Sequence, residues 1–275
     1  MKLHVKNFCV VFAIALLISA CGTNPLTGAR VLPGIPNFLL FPMAEAQFQD
    51  FLNESTVVTG TPDAQMLDRV GWELVAAAEK WIDANPHIDR IDDYRWEFAL
   101  VQDNAINAWV LPGGKIVFYT GILPVTRDAA GMATVMGHEI AHAILNHGQQ
   151  RMTASFIQQG GLTVVEALLR GVVTQETRDL TMTAFGAGSE IFGTLPFSRT
   201  HEDEADYLGL MLMAIAGYHP MEAVYFWERL HAIAGPGSIP EWQSTHPSHE
   251  SRIANLRDWV PRAIEVAAQF GVHFE

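Results

Sequence analysis

A segment that begins near residue 61 carries apolar side chains at the spacing of one helix face. Thr61 can cap the first turn, and Pro62 is well tolerated there because the first turn leaves its backbone N–H groups unpaired. Asn85-Pro86 marks the end of the pattern. The apolar positions are Leu67, Val70, Leu74, Ala77 and Trp81. The spacing predicts an amphipathic helix over residues 61–84.

Three short segments that follow have the pattern of β-strands. They are residues 94–101, 107–111 and 115–120. In the first, Trp96, Phe98 and Leu100 occupy every second position and would share one face. Pro112-Gly113-Gly114 forms a turn between the other two. We expect a small antiparallel sheet.

Helical spacing returns in four later segments. They are residues 128–149, 200–216, 220–234 and 248–270. Residues 153–195 are apolar but repeatedly interrupted by charges, and no stretch reaches the ~20 apolar residues that a membrane span needs. We interpret that region as a packed helical hairpin. The predicted fold is α+β and mostly α-helical, with the sheet packed on the helix at 128–149.

The N-terminal segment has the features of an export signal. Lys2 and Lys6 precede an apolar run over residues 8–18, and Ser19-Ala20 is a small-residue cleavage site before Cys21. Ile18-Ser19-Ala20-Cys21 resembles a bacterial lipoprotein box, and this resemblance implies lipidation of Cys21. An ordinary signal peptide or an uncleaved anchor are the alternatives. The predicted organisation is therefore a signal peptide at 1–20, a lipid-anchored tether at 21–60 and a catalytic domain at 61–275.

The charge balance excludes one class of partner. Thirty acidic against 17 basic residues give a net charge of −13. Because phosphate binding requires a basic face, we predict no nucleic-acid partner.

The strongest chemical signal is His138-Glu139-Ile140-Ala141-His142, within the predicted helix at 128–149. Residues four apart lie on one helix face, so both imidazoles can bind one Zn²⁺ ion per chain. Catalytic zinc typically has three protein ligands, so one more is required. Glu139 lies beside the first histidine and is placed to take a proton from water as general base.

The third ligand is expected on the helix at 200–216. Glu202 and Asp206 are four residues apart and share a face, whereas Glu204 points elsewhere. One carboxylate can bind the metal while the other accepts a hydrogen bond from a ligand histidine. His201 is a rival ligand by chemistry alone.

Several motifs in order along the chain resemble one known family. They are Asn107-Ala108-Trp109, Pro112-Gly113-Gly114, Gly137 to His142 with His147, Ser198-Arg199, Glu202 to Asp206, Thr245-His246-Pro247 and Arg252-Ile253. On these residues the chain is similar to the HtpX-like and CAAX-prenyl-protease-like zinc metallopeptidases, specifically their short bacterial lipoprotein members. The resemblance implies a zincin-type fold.

The same resemblance implies roles for individual residues. Glu202 would be the third zinc ligand and Asp206 would orient a ligand histidine. His246 would either stabilise the oxyanion or occupy the fourth zinc position. His147, five residues beyond His142, is interpreted as a capping or packing residue.

The strand at 107–111 has two interpretations. In related zinc peptidases an edge strand before the zinc helix holds the substrate backbone in extended form, and Asn107, Ala108 and Trp109 would begin it here. Main-chain pairing of this kind favours unfolded substrates. The alternative is a plain core strand.

We therefore expect a zinc endopeptidase that cleaves unfolded or misassembled cell-envelope proteins. The expected location is the periplasmic side of a bacterial envelope, with lipid attachment to the membrane and the outer membrane favoured. The alternative is an envelope assembly factor or chaperone whose zinc site is structural or latent. The sequence predicts no oligomeric state.

Overall fold

The computed structural model describes residues 22–24, 26, 30–31, 36–86, 88–158, 197–233, 242, 246 and 251–275. The predicted signal peptide, the predicted lipidation site Cys21 and most of the predicted hairpin at 153–195 lie outside the described residues.

Eight helices and five strands occur within the described residues. The helices are α1 (Asn37–Glu54), α2 (Pro62–Ala84), α3 (Leu123–Thr126), α4 (Ala129–Ile144), α5 (His147–Gln158), α6 (Arg199–Ile215), α7 (Met221–Ile233) and α8 (Ser251–Gln269). The strands are β1 (Gly22–Thr23), β2 (Arg30–Val31), β3 (Glu97–Val101), β4 (Ala108–Leu111) and β5 (Lys115–Tyr119). Among these described helices, none has both the length and the apolar character to cross a bilayer.

The predicted fold class is confirmed, but the main sheet is mixed rather than antiparallel. Its strand order is β3-β5-β4, and β5 pairs in parallel with β3 and antiparallel with β4. Ile116, Val117 and Phe118 of β5 are all completely buried. A strand that is apolar on both faces belongs in the centre of a sheet. It therefore lies between the two strands that precede it in sequence.

Side-chain caps start the helices where the sequence pattern places them. Thr61 Oγ1 accepts a hydrogen bond from Ala64 N at the start of α2. Asp128 Oδ1 accepts from the first-turn backbone of α4, and Ser198 Oγ does the same for α6. Each cap satisfies an N–H that has no partner inside the helix. The starts of α4 and α6 are thereby fixed.

The helix predicted over residues 128–149 is in fact two helices. α4 ends at Ile144, and Asn146 has a left-handed backbone with φ 57° before α5 begins at His147. Asn is one of the few residues other than Gly that adopts this conformation readily. Tyr94 Oη fixes the break by donating a hydrogen bond to Ala143 O at 2.9 Å.

One helix was not predicted at all. The segment interpreted as a tether contains α1, which packs on the side of the sheet opposite α4. Leu40, Ala44 and Phe48 recur every four residues and form a second core with Val117 of β5. This i, i+4 repeat is a helix signal, although Pro36 and Pro42 and the glycines before them resemble a loop in sequence. The domain boundary at residue 60 stays a prediction.

α4 is the central helix, and it lies very close to α6. A Cβ added to Gly209 of α6 would lie 2.8 Å from His138 N, and one added to Gly137 of α4 would lie 2.9 Å from Gly209 O. Both contacts are with backbone atoms, which cannot move aside as a flexible side chain can. The two glycines therefore set the distance between α4 and α6.

Replacing Gly209 with Ala should lower the free energy of unfolding by about 1–3 kcal/mol, because the new methyl group overpacks this contact. At roughly 2–4 °C per kcal/mol, thermal denaturation would detect the change readily. Thr200→Ala, at an exposed position of the same helix, is the control. Equal melting temperatures for wild type and Gly209→Ala would contradict the close contact.

Candidate metal centre

Four buried side chains from three parts of the chain meet beside α4. His138 and His142 come from α4, Glu202 from the first turn of α6, and His246 from the region before α8. One potential ligand atom of each lies within 4.8 Å of every other. Among the described residues, this is the only group of three or more His, Cys, Asp or Glu side chains that could hold a metal ion.

The spacing of these ligand atoms suits zinc. His138 Nε2 lies 3.0 Å from His142 Nε2 and 3.1 Å from His246 Nδ1. Glu202 Oε1 lies 3.1 Å from His246 Nδ1 and 3.5 Å from His142 Nε2. Zinc–ligand bonds of about 2.0–2.1 Å in a tetrahedron hold ligand atoms roughly 3.3 Å apart. The set of imidazoles and one carboxylate therefore fits a tetrahedral zinc ion.

The ionisation of these groups also favours metal binding. Burial lowers the pKa of His138 and His142 well below the usual value, so both rings are neutral and have a lone pair available. Burial alone would raise the pKa of Glu202, but His246 and Arg252 outweigh it and hold that pKa well below its usual range. Glu202 is thus an ionised carboxylate.

Asp206 is hydrogen-bonded to the first histidine of the motif. Its Oδ1 lies 2.9 Å from His138 Nδ1, and Arg252 Nη2 donates to the same oxygen at 2.6 Å. Because Nδ1 donates to Asp206, Nε2 of His138 presents its lone pair to the ligand cluster. Arg252 also donates to Glu202 Oε2 at 2.8 Å, and its guanidinium lies 3.7 Å from the centre of the Trp227 ring.

His147 and Glu204 also reach this site, contrary to the interpretation of His147 as a capping or packing residue. His147 Nδ1 lies 2.9 Å from His142 Nδ1, and its Nε2 lies 3.0 Å from Glu204 Oε2. Both side chains are buried. A continuous helix would have carried His147 off the ligand face, whereas the break at Asn146 turns it back. An Asn next to the histidine was the only sequence signal of that break.

Glu139 points into the same buried region. Trp242 Nε1 donates a hydrogen bond to its Oε1 at 3.2 Å. Its other oxygen, Oε2, is buried and has no hydrogen-bond partner among the described residues. Burial raises the pKa of Glu139 to about 7. A carboxylate held at one oxygen and unpaired at the other can accept a proton from a molecule beside the cluster. Trp242 was not identified from the sequence.

His201, the rival ligand, is not part of the cluster. Its ring stacks on His147 with centroids 4.3 Å apart, and its Nε2 lies 3.3 Å from Gln150 Oε1. The adjacent Glu202 points to the zinc ligands instead. The Ser198 cap fixes the first turn of α6. In that turn the side chain of Glu202, and not that of His201, joins the cluster.

The strand predicted to hold substrate is at an edge of the sheet. β4 contains Ala108 and Trp109 and pairs only with β5 among the described strands, while Asn107 immediately precedes it. Asn107 and Ala108 are buried. A cleft beside the strand is lined by Val110, His142 and Phe197. The end of β4 and His142 therefore line one cleft.

An aromatic ring covers the ligand cluster in this structure. Phe197 stacks on His142 with ring centroids 4.0 Å apart and lies 5.2 Å from the ring of His246. The guanidinium of Arg151 packs on Phe197, 4.0 Å from the ring centre. His138, Glu139, His142, Glu202 and His246 are all at most 3% exposed. The cluster is thus closed to bulk solvent.

A helical zincin-type fold with a His-Glu-His motif, a buried carboxylate and a zinc-compatible ligand set defines a zinc metalloendopeptidase. Residues 74–260 match the description "Peptidase family M48". The chain belongs to this family, which confirms the zinc metallopeptidase resemblance at the level of the family; the bacterial lipoprotein branch stays a prediction.

Individual relatives are similar over part of their length. The chain is 36% identical over 177 residues to the mitochondrial metalloendopeptidase OMA1 of Schizosaccharomyces pombe, which is 64% of this chain and 50% of the relative. It is 33% identical over 216 residues to the protein of the same name in Saccharomyces cerevisiae, 74% and 57% of the two chains. It is 30% identical over 167 residues to the β-barrel assembly-enhancing protease of Escherichia coli, 59% and 34%. The chain thus spans about half the length of the fungal relatives and less of the bacterial one.

The predicted location on the periplasmic side of a bacterial envelope, anchored by lipid, is wrong. Both fungal relatives are named as mitochondrial proteins. The physical reason for the error is that the N-terminal pattern is not specific. The chain has basic and apolar residues but no acidic residue before Glu45. Organelle-targeting segments are also basic and poor in acidic residues, so the pattern does not determine the compartment.

The ligand set leads to a prediction about metal content. Wild-type protein should bind one zinc ion per chain, and a strong chelator should remove it. Loss of an orienting group typically weakens metal binding 10–100-fold, so removal of a ligand by Glu202→Ala should weaken it by more than about 100-fold. Metal analysis after gel filtration and a competition titration would measure this. His219→Ala, at an exposed histidine, should retain zinc. Retention of zinc by Glu202→Ala would exclude Glu202 as a ligand.

Proposed function

We propose that this zinc metalloendopeptidase cleaves unfolded or misassembled protein chains. In this proposal His138, His142 and Glu202 hold the metal and Glu139 is the general base. The observation that carries it is the unpaired, buried Oε2 of Glu139 beside the four clustered ligand groups. A structural zinc site has no need of a neighbouring carboxylate with a free oxygen.

When bound, zinc polarises the scissile carbonyl and makes the attacking water more acidic. Glu139 then takes the proton of that water and delivers it to the leaving amine. Trp242 fixes one oxygen of Glu139 by its indole N–H, so the other oxygen is available for the proton. Asp206 keeps His138 in the tautomer that binds metal.

His246 has two proposed roles, fourth zinc ligand or oxyanion stabiliser. The 3.1 Å distances from its Nδ1 to His138 Nε2 and Glu202 Oε1 favour the first role in this arrangement. Catalytic zinc keeps one position open, whereas a site with four protein ligands is closed. If His246 occupies the fourth position, the site would be latent until that histidine moves away.

The orientation of β4 supports an unfolded substrate. Asn107 O accepts a hydrogen bond from Tyr119 N, so residue 107 is a hydrogen-bonded partner of residue 119 across the pair. Antiparallel pairing alternates, so the backbone groups of Ala108 and Val110 point away from β5. They can pair with an extended substrate strand in the cleft that leads to His142. A folded protein does not offer such a strand.

One alternative is an assembly factor or chaperone with a structural zinc ion. The Escherichia coli relative has "β-barrel assembly-enhancing" in its name, which supports an involvement with misassembled proteins. The closed cluster is also compatible with a metal that does no chemistry. The two functions differ in whether Glu139 is required, because a binding protein does not need a general base.

Glu139→Gln should keep its zinc and lose nearly all cleavage of an unfolded substrate such as casein, since general acid–base catalysis typically contributes about 10²–10⁴-fold. Rates and metal content should be measured on the same preparations. Glu79→Gln, the same change at an exposed site on α2, is the matched control. Full cleavage by Glu139→Gln would refute the assigned base. Client binding without cleavage by the wild type, unchanged in Glu139→Gln, would instead favour the chaperone alternative.

Val110→Pro should lower kcat/KM for unfolded substrates, because proline removes an N–H that points to the open edge but donates no bond to β5. Val110→Thr keeps this N–H at similar size and serves as control. Zinc content and circular dichroism should be unchanged in both variants. If Val110→Pro cleaves casein at the wild-type rate, substrate does not pair with β4.

A further inference from the structure

We propose that His147 and Glu204 are positioning residues that hold the zinc ligand His142 in its metal-binding tautomer and orientation. This inference rests on the assignment of His142 as a ligand under the proposed function. Neither residue is part of the ligand group, and neither touches the atoms that would react. They act through His142 alone.

The hydrogen-bond chain allows only one arrangement of protons if His142 binds metal. Its Nε2 faces the ligand cluster, 3.0 Å from His138 Nε2, and must present a lone pair there. Its Nδ1 therefore carries the proton and donates to His147 Nδ1 at 2.9 Å. His147 Nδ1 must then be the acceptor, so its proton is on Nε2, which donates to Glu204 Oε2 at 3.0 Å. Each ring nitrogen thus has a defined role.

The two ligand histidines of α4 are consequently supported in different ways. Nδ1 of His138 donates directly to the carboxylate of Asp206, whereas Nδ1 of His142 is linked to a carboxylate, that of Glu204, through a second imidazole. Both carboxylates lie on α6, as does the ligand Glu202. Glu204 does not share the helix face of residues 202 and 206, and its carboxylate is joined to His142 through His147.

The surroundings of His147 fix its ring. The left-handed Asn146 places it at the start of α5, where it is completely buried. His201 stacks on one face at 17° between ring planes, and Phe197 stacks on the ring of His142 at 26°. A ring held in this way keeps the donor–acceptor geometry, and groups that orient a metal ligand typically contribute 10–100-fold to metal affinity.

The test compares the same substitution in the two stacked imidazoles. His147→Phe preserves an aromatic ring but removes the acceptor, and His201→Phe does the same to a ring that does not touch His142. We expect His147→Phe to weaken zinc binding about 10–100-fold and to change the visible spectrum of the cobalt-substituted protein. His201→Phe should leave both near wild type. His147→Asn, which retains an acceptor oxygen near the Nδ1 position, should recover most of the affinity.

Glu204→Gln is a second, milder variant that keeps an acceptor for His147 but removes the charge, and it should weaken zinc binding less than His147→Phe does.

Wild-type zinc affinity in His147→Phe, equal losses in the two Phe variants, or no recovery with Asn would each overturn the positioning role. His142→Ala is measured alongside. If that variant binds zinc like wild type, the proposed metal site itself fails; if it loses zinc while His147→Phe does not, only the positioning role fails.

Discussion

The site depends on the close backbone contact between α4 and α6. Gly137 and Gly209 face each other with no room for a Cβ on either, and Gly137 directly precedes the first histidine of the metal motif. This contact is what allows carboxylates of moderate length on α6 to reach the imidazoles on α4. At a more usual helix separation of 8–10 Å, set by side chains, the same residues would be too far apart to share an ion.

Once the two helices are in contact, α6 supplies three different acidic groups to one site. Glu202 lies among the ligands, Asp206 accepts from His138, and Glu204 accepts from His147. With Glu139 this places four buried carboxyl groups near two buried guanidinium groups, those of Arg151 and Arg252. Burial of excess negative charge is unfavourable, and a divalent cation would offset it. Metal binding should accordingly be coupled to the stability of this part of the fold.

The sequence predicted the features that depend on local pattern. The capping of α2 by Thr61, the start of α4 after Asp128 and the location of the histidine motif all follow from neighbouring residues, and the structure has them. What the pattern could not predict involves distant partners or single backbone angles. The central position of β5 depends on the two cores that bury its two faces, and the break at Asn146 depends on Tyr94, which donates a hydrogen bond to Ala143, 49 residues later in the chain.

Arg252 and Trp242 were not predicted as part of the site because their roles also depend on partners that are distant in sequence. Both were visible in the sequence, and Arg252 belongs to a motif shared with the family, but nothing local assigns a role to an arginine on a C-terminal helix or to a tryptophan near His246. The role of Arg252 arises only when α8 is packed against α6. Arg252 then joins Glu202 to Asp206, so one guanidinium fixes both a proposed ligand and the carboxylate that is hydrogen-bonded to His138. Trp242 likewise contacts the ring of His138 and donates to Glu139, so it links a proposed ligand to the proposed general base. The sequence motif alone determines the chemistry of the histidine pair. The geometry of the site is a property of the tertiary packing around that motif.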